Sequence, residues 1–142
     1  NVNFIFTISP VRYIKDGFEE NQLSKSHLFA AVHQVLKTHN SKLITQNYFP
    51  SYEIMMDELR DYRFYTEDML HPNQVAIDYI WYKFSENYIA LESISIMQEV
   101  DGIQKSLRHR SFNPESEQHQ KFLDKLQQKI KSLGEKWPNI KF

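Results

Sequence analysis

Asn3-Phe4-Ile5-Phe6-Thr7-Ile8-Ser9-Pro10 is the stretch that decides the fold. It is apolar and rich in β-formers, too short for a globular helix, and cut off by Ser9-Pro10. Such a run fits a strand buried on both faces in a mostly parallel sheet. Pro10 has no N–H to give a ladder, so the strand ends there and Val11-Arg12 emerge at its C-terminal end. Open α/β sheets bind ligands outside that edge, which makes Arg12 a candidate substrate-binding residue. An arginine paired with a structural carboxylate reads equally well at this position.

Downstream, Asp16-Gly17 marks a turn, and Glu19 to Leu23 lead to Ser24, which reads as an N-cap. Leu28, Ala31, Val32, Val35 and Leu36 then follow helical spacing, which predicts an amphipathic helix from Ser24 to about Thr38. Lys42 to Phe49 reads as a second strand, closed by Pro50. Strand, helix, strand with a proline stop after each strand is a βαβ unit, hence a parallel pair with a right-handed crossover. The fold class is therefore α/β. His27, His33 and His39 recur every six residues, about 240° apart around a helix, so they do not converge on a metal.

Ser51 to Leu59 reads as a short helix with Ile54, Met55 and Leu59 inward. The cluster Tyr62, Phe64 and Tyr65 follows and is expected to pack the next loop, Thr66 to Pro72, which carries Asp68 and His71. An aspartate three residues before a histidine can fold back and accept a hydrogen bond from the imidazole. That bond fixes the tautomer and stabilises the imidazolium, as in the second and third members of a Ser-His-Asp system. Spacing alone fits equally a loop histidine satisfied by a nearby carboxylate. Pro72 and Asn73 open a helix with Ala76, Ile80 and Phe84 on one face beside Val75 and Tyr79.

From Ile89 onward the chain reads as helical. Ile89, Ile96, Val100, Ile103 and Leu107 make one stripe, reaching Gly102 or beyond. Asn113-Pro114-Glu115 is a helix start signal, and Phe122, Leu123, Leu126, Ile130 and Leu133 run to a stop at Gly134. The expected organisation is a sheet-bearing part over 1–88 and a helical extension over 89–142 packed on it.

The 142 residues suffice for a domain with a real core, and 41 % hydrophobic with 25 % charged residues is a globular balance. Net charge is −1 and the cations are scattered, which points away from nucleic acid and anionic membranes. Lys105 to Arg110 is the densest basic run and reads as a solvated helix end. The absence of cysteine excludes disulfides, thiolate nucleophiles and cysteine-ligated zinc. No apolar run approaches the ~20 residues of a membrane span. The sequence begins at Asn1 inside a strand-like pattern and shows no leader, so it reads as a piece of a longer protein, with a cytoplasmic location as the expectation.

Several segments together resemble the GSCFA-domain proteins. They are Ile8-Ser9-Pro10-Val11-Arg12, Asp16-Gly17, Asn21 to Ser26, Tyr48 to Ile54, Asp57 to Tyr65, Asp68-Met69-Leu70-His71-Pro72 and His109-Arg110-Ser111-Phe112. They come in family order and span most of the chain. Where the family usually reads His-Arg-Pro-Phe, this chain has Ser111. GSCFA domains are similar to the SGNH, or GDSL-like, hydrolases, which implies a three-layer parallel-sheet fold. Here the chain would hold only its C-terminal part, about two strands, plus the helical extension. The resemblance also implies that Asp68 and His71 match the Asp-x-x-His block, with His71 as general base and Asp68 orienting it.

The superfamily's nucleophilic serine and oxyanion donors lie in upstream Gly-x-Ser-like blocks, and none of the three glycines here sits in such a turn. Ser9, Ser24 and Ser26 are not nucleophile candidates. The leading reading is therefore the C-terminal part of a serine esterase acting on a small-molecule or carbohydrate ester, inactive as these 142 residues alone. A non-catalytic carbohydrate- or partner-binding module of the same fold is the alternative, and a helical interaction segment, Glu92 to Phe142, is a third. No metal or organic cofactor is implied.

Overall fold

The computed structural model describes residues 2–38 and 44–142, which divide into two compact units, Asn1–Tyr88 and Ile89–Phe142. In the first, β1 (Val2–Thr7) and β2 (Ile44–Phe49) form a two-stranded parallel sheet in which Val2 faces Ile44 and Thr7 faces Phe49. The crossover helix between them, α1, spans Gly17–Thr38. The protein is thus mixed α/β, a small parallel sheet with helices, as its strand–helix–strand pattern predicts. His39, Lys42 and Leu43 lie outside the described residues.

Burial of β1 on both faces is not what the structure has. Phe4 and Ile5 are 45 % and 40 % exposed, while Ile8 just beyond the strand and Phe49 at the end of β2 are buried. A strand is covered on both sides only where layers pack on both faces of its sheet. Among the described residues that cover is concentrated at the C-terminal ends of the strands. There Ser51 donates to the Ile8 carbonyl at 2.8 Å and shares a 2.6 Å hydrogen bond with the Thr7 hydroxyl.

The start of α1 is also earlier than its sequence suggests. Gly17, at φ +86°, lets the chain turn out of a 3₁₀ turn (Ile14–Asp16) directly into helix, and Glu19 and Glu20 complement the dipole of its first turn. Ser24 is therefore an exposed mid-helix residue, not a cap. The inward face begins with Asn21 and Lys25, both buried, and continues through Phe29, Val32 and Leu36; Leu28 and Ala31 point outward. The apolar stripe read from sequence covers only the second half of this face, because its first half is polar.

After β2 comes α2 (Ser51–Glu53), which widens at once into a π-helical segment, Ile54–Leu59. Its five-residue repeat is seen where Arg60 N donates to Met55 O at 3.2 Å. Ile54 and Met55 are buried and Leu59 is half-buried. Helix α3 (Gln74–Tyr88) buries Ala76 completely and half-buries Tyr79, Ile80 and Phe84, whereas Val75 is exposed. Phe49 meets the Phe84 ring edge-on at 5.1 Å and the Tyr88 ring at 6.0 Å, joining the end of β2 to α3.

The second unit consists of α4 (Leu91–Arg108) and α5 (Glu117–Lys136). Ile103, Leu126 and Leu133 form its buried core, with Val100, Phe122, Ile130 and Ile140 packed against them. Leu107 and Leu123 lie outside this core and are exposed. Ser116 caps α5, its hydroxyl accepting from His119 N at 3.2 Å and donating to Asn113 O at 2.8 Å. The start signal Asn113-Pro114-Glu115 is thus a turn feeding the cap. Gly134 does not end the helix, which continues to Lys136, because one interior glycine costs only ~1 kcal/mol.

Candidate active site

Between α2 and α3 the chain folds back on itself. Tyr65 and Pro72 form an antiparallel bridge, Thr66 N donates to His71 O at 2.8 Å, and Asn73 N donates to Phe64 O at 2.8 Å. Asn73 also donates its side-chain amide to Arg63 O at 2.6 Å and accepts from Ala76 N at 3.2 Å. One side chain thus closes the base of the loop and caps α3. Asn73→Ala is expected to cost ~1–2 kcal/mol, combining a lost cap with a lost loop anchor, read as a shifted urea midpoint. A change below ~0.3 kcal/mol would remove that double role.

At the tip, Asp68 gathers four hydrogen bonds. Its Oδ1 accepts from His71 N at 3.0 Å, Leu70 N at 2.9 Å and the Thr66 hydroxyl at 2.6 Å. Its Oδ2 lies 2.6 Å from His71 Nδ1. Met69 takes φ +59°, the left-handed value that lets two successive N–H groups point at one carboxylate. The His71 backbone N–H, the Thr66 hydroxyl, the His71 ring and the Leu70 N–H hold the Asp68 carboxyl well below the usual carboxylate range. An ionised carboxylate only accepts, so Nδ1 of His71 donates, and in the neutral ring Nε2 carries the lone pair. Among the described residues no hydrogen bond reaches Nε2, and the His71 side chain is 60 % exposed. Chemically this is a base with a fixed tautomer and a built-in counter-charge.

The depressed Asp68 carboxyl gives a signed pH dependence. A carboxyl lowered in the folded state contributes stability that is complete above its unfolded pKa, ~3.9, and is lost as pH falls through the folded value. The stability gap between wild type and Asp68→Asn is therefore expected to be flat above about pH 5 and to narrow continuously as pH falls from there toward strong acid. Urea midpoints measured across that range test it, and a gap that widens toward acid would contradict the sign.

Asp68 and His71 are thus brought together as their spacing suggests. Arg12 also arrives at this loop, its Nη2 donating to Met69 O at 3.4 Å. It has no carboxylate partner among the described residues, so the structural ion pair is not its arrangement. Tyr62 departs from expectation: it is 68 % exposed and only Phe64 and Tyr65 are half-buried against the loop. Thr66 and Asn73 hold this loop in place and spacing did not single them out for that, although a threonine two residues before an aspartate is a recognisable local turn signal.

Among the described residues no group of three or more histidines, aspartates or glutamates could hold a metal ion, and no helix is long and apolar enough to cross a membrane. Residues 1–84 match the GSCFA family, and residues 100–142 match the GSCFA domain protein, C-terminal domain. The chain belongs to the GSCFA family. No curated protein and no solved structure matches it. In this GSCFA chain the Asp68–His71 loop falls within the first matched region, as do Arg12, Thr66 and Asn73, while α5 falls within the second.

Proposed function

We propose that this chain supplies the His-Asp half of a serine esterase of the SGNH type, with the nucleophilic serine contributed by sequence upstream of these residues. The observation that carries the reading is the 2.6 Å contact between His71 Nδ1 and an Asp68 held ionised by three further donors. In the reaction His71 Nε2 takes the serine proton as the hydroxyl attacks the ester carbonyl. The same nitrogen then passes that proton to the leaving alcohol, while Asp68 stabilises the charged ring between the two transfers. Water, deprotonated by the same base, releases the acid from the acyl-enzyme. The site's position supports this, since Arg12, which follows the C-terminal end of β1 at the binding edge of parallel sheets, touches the loop.

A second reading is favoured by a different feature. An open apolar groove of about 490 Å³, lined by Ile5, Phe49, Pro72, Trp81 and Phe84 among others, lies beside the loop. Such a groove suits a non-catalytic carbohydrate- or partner-binding module equally well. Expressing the whole reading frame that contains this chain, and exposing it to an aryl acetate and to a fluorophosphonate probe, separates the two. The esterase reading expects hydrolysis together with a labelled serine. Neither hydrolysis nor label leaves the binding module.

A further inference from the structure

A second cavity, of about 360 Å³, is lined from the loop after β1, helix α1 and the end of the π-helical segment. Three cations line it: Arg12, Lys25 and Arg60. Asp61 is the lone acid in its wall, and that carboxylate is already engaged by Arg63, through its N–H at 2.9 Å and its Nε at 3.5 Å. None of the three cations has a carboxylate partner among the described residues.

Lys25 is the informative member. It is 7 % exposed, and its ammonium has two neutral neighbours, the Ser9 carbonyl at 2.7 Å and the face of Tyr52 with the ring centre at 5.4 Å. A carbonyl and an aromatic face offset only part of the cost of burying an ammonium, and burial lowers this lysine from its ordinary value. One of its three donors is used, and the like charges of Arg12 and Arg60 share its cavity. Positive charge gathered around a buried ammonium with no internal counter-ion favours an anion in the cavity. Arg60 also holds φ +39°, a left-handed value that an arginine adopts at a cost, and it does so at the rim of this cavity.

We propose that this cavity binds an anionic oxygen group (a carboxylate, sulfate or phosphate) carried by the small molecule whose ester the Asp68–His71 loop attacks. The link between the two places is Arg12, which lines the cavity and hydrogen-bonds the carbonyl of Met69, the residue between Asp68 and Leu70 in the loop. Tyr52, Tyr62 and Tyr65 supply flat faces in the same wall for a ring bearing the anion. A volume of 360 Å³ is at the lower end of the ~300–1,000 Å³ of small-molecule sites, the size of one sugar-like unit. That the bound molecule is also the ester substrate rests on the esterase reading; that an anion binds here does not.

The test is equilibrium titration of the whole reading frame with sodium glucuronate, sulfate and phosphate, with glucose as the neutral control. Saturable binding of at least one anion is expected, with none of glucose, and the anion bound most tightly identifies the group. Arg12→Gln and Arg60→Asn are each expected to weaken binding about tenfold or more, the loss of one charge-assisted contact. Lys25→Met is expected to do the same, and the two arginine variants keep the test decisive if the buried substitution unfolds the protein. No saturable binding by any of the three anions, or binding that Arg12→Gln and Arg60→Asn both leave unchanged, overturns the proposal. Anion binding without ester hydrolysis keeps the site and removes the esterase; hydrolysis without anion binding does the reverse.

Discussion

His71→Ala in the whole reading frame is expected to lower aryl acetate turnover by 10³-fold or more, about 4 kcal/mol of transition-state stabilisation. The fold should survive, for a structural reason. The bonds that close the loop around residue 71 are its backbone N–H to Asp68 Oδ1 and its carbonyl from Thr66 N, and alanine keeps both. The side chain itself is 60 % exposed, so its removal leaves no cavity. Asp68→Asn provides the companion result. An amide can donate as well as accept, so it no longer obliges Nδ1 to be the protonated nitrogen, and a large fraction of rings then presents the wrong tautomer at Nε2. Both variants are to be compared with wild type by circular dichroism before kinetics. A folded His71→Ala protein that retains more than about a tenth of wild-type turnover has some other base, and the assignment falls.

The largest stability effect is expected in the second unit. Leu133 is 2 % exposed in a core whose other buried members are Ile103 and Leu126. Leu133→Ala removes its packing atoms and leaves a void that two helices can close only in part, at a cost of about 2–5 kcal/mol. A core of three buried side chains and four partly buried neighbours has little reserve, so a loss of that size is comparable with the whole stability of a small domain. The expected observation is that amide protection in α4 and α5 collapses toward that of unfolded chain. Protection reduced by less than about tenfold, or about 1.4 kcal/mol, would mean that the two helices are held by something other than this core.

The family, the parallel strand pair and the Asp68–His71 contact were legible in the sequence because each rests on local information. A proline after each apolar run fixes where the strands end, a helix between them fixes parallel pairing, and three-residue spacing puts a carboxylate within reach of an imidazole. The Ile54, Met55 and Ala76 core positions belong to the same class. Local spacing failed where a residue's face depends on what packs against it. Ser24 looks like a cap only until Gly17 starts the helix two turns earlier. Gly134 and Asn113 carry stop and start signals that Lys136 and Ser116 actually fulfil.

What the sequence by itself determined is therefore the order and kind of elements, the pairing of the strands and the short-range pair that could act as a base. The tertiary structure alone decided that Arg12 reaches the loop 57 residues away rather than a structural carboxylate. It also decided that Lys25, on the same helical face as Phe29, Val32 and Leu36, is buried in a cavity wall that also holds Arg12 and Arg60. The physical reason is that both outcomes depend on which surfaces the crossover of α1 brings together. No residue within one helical turn records that, and the charge of a side chain does not reveal whether water or protein will surround it.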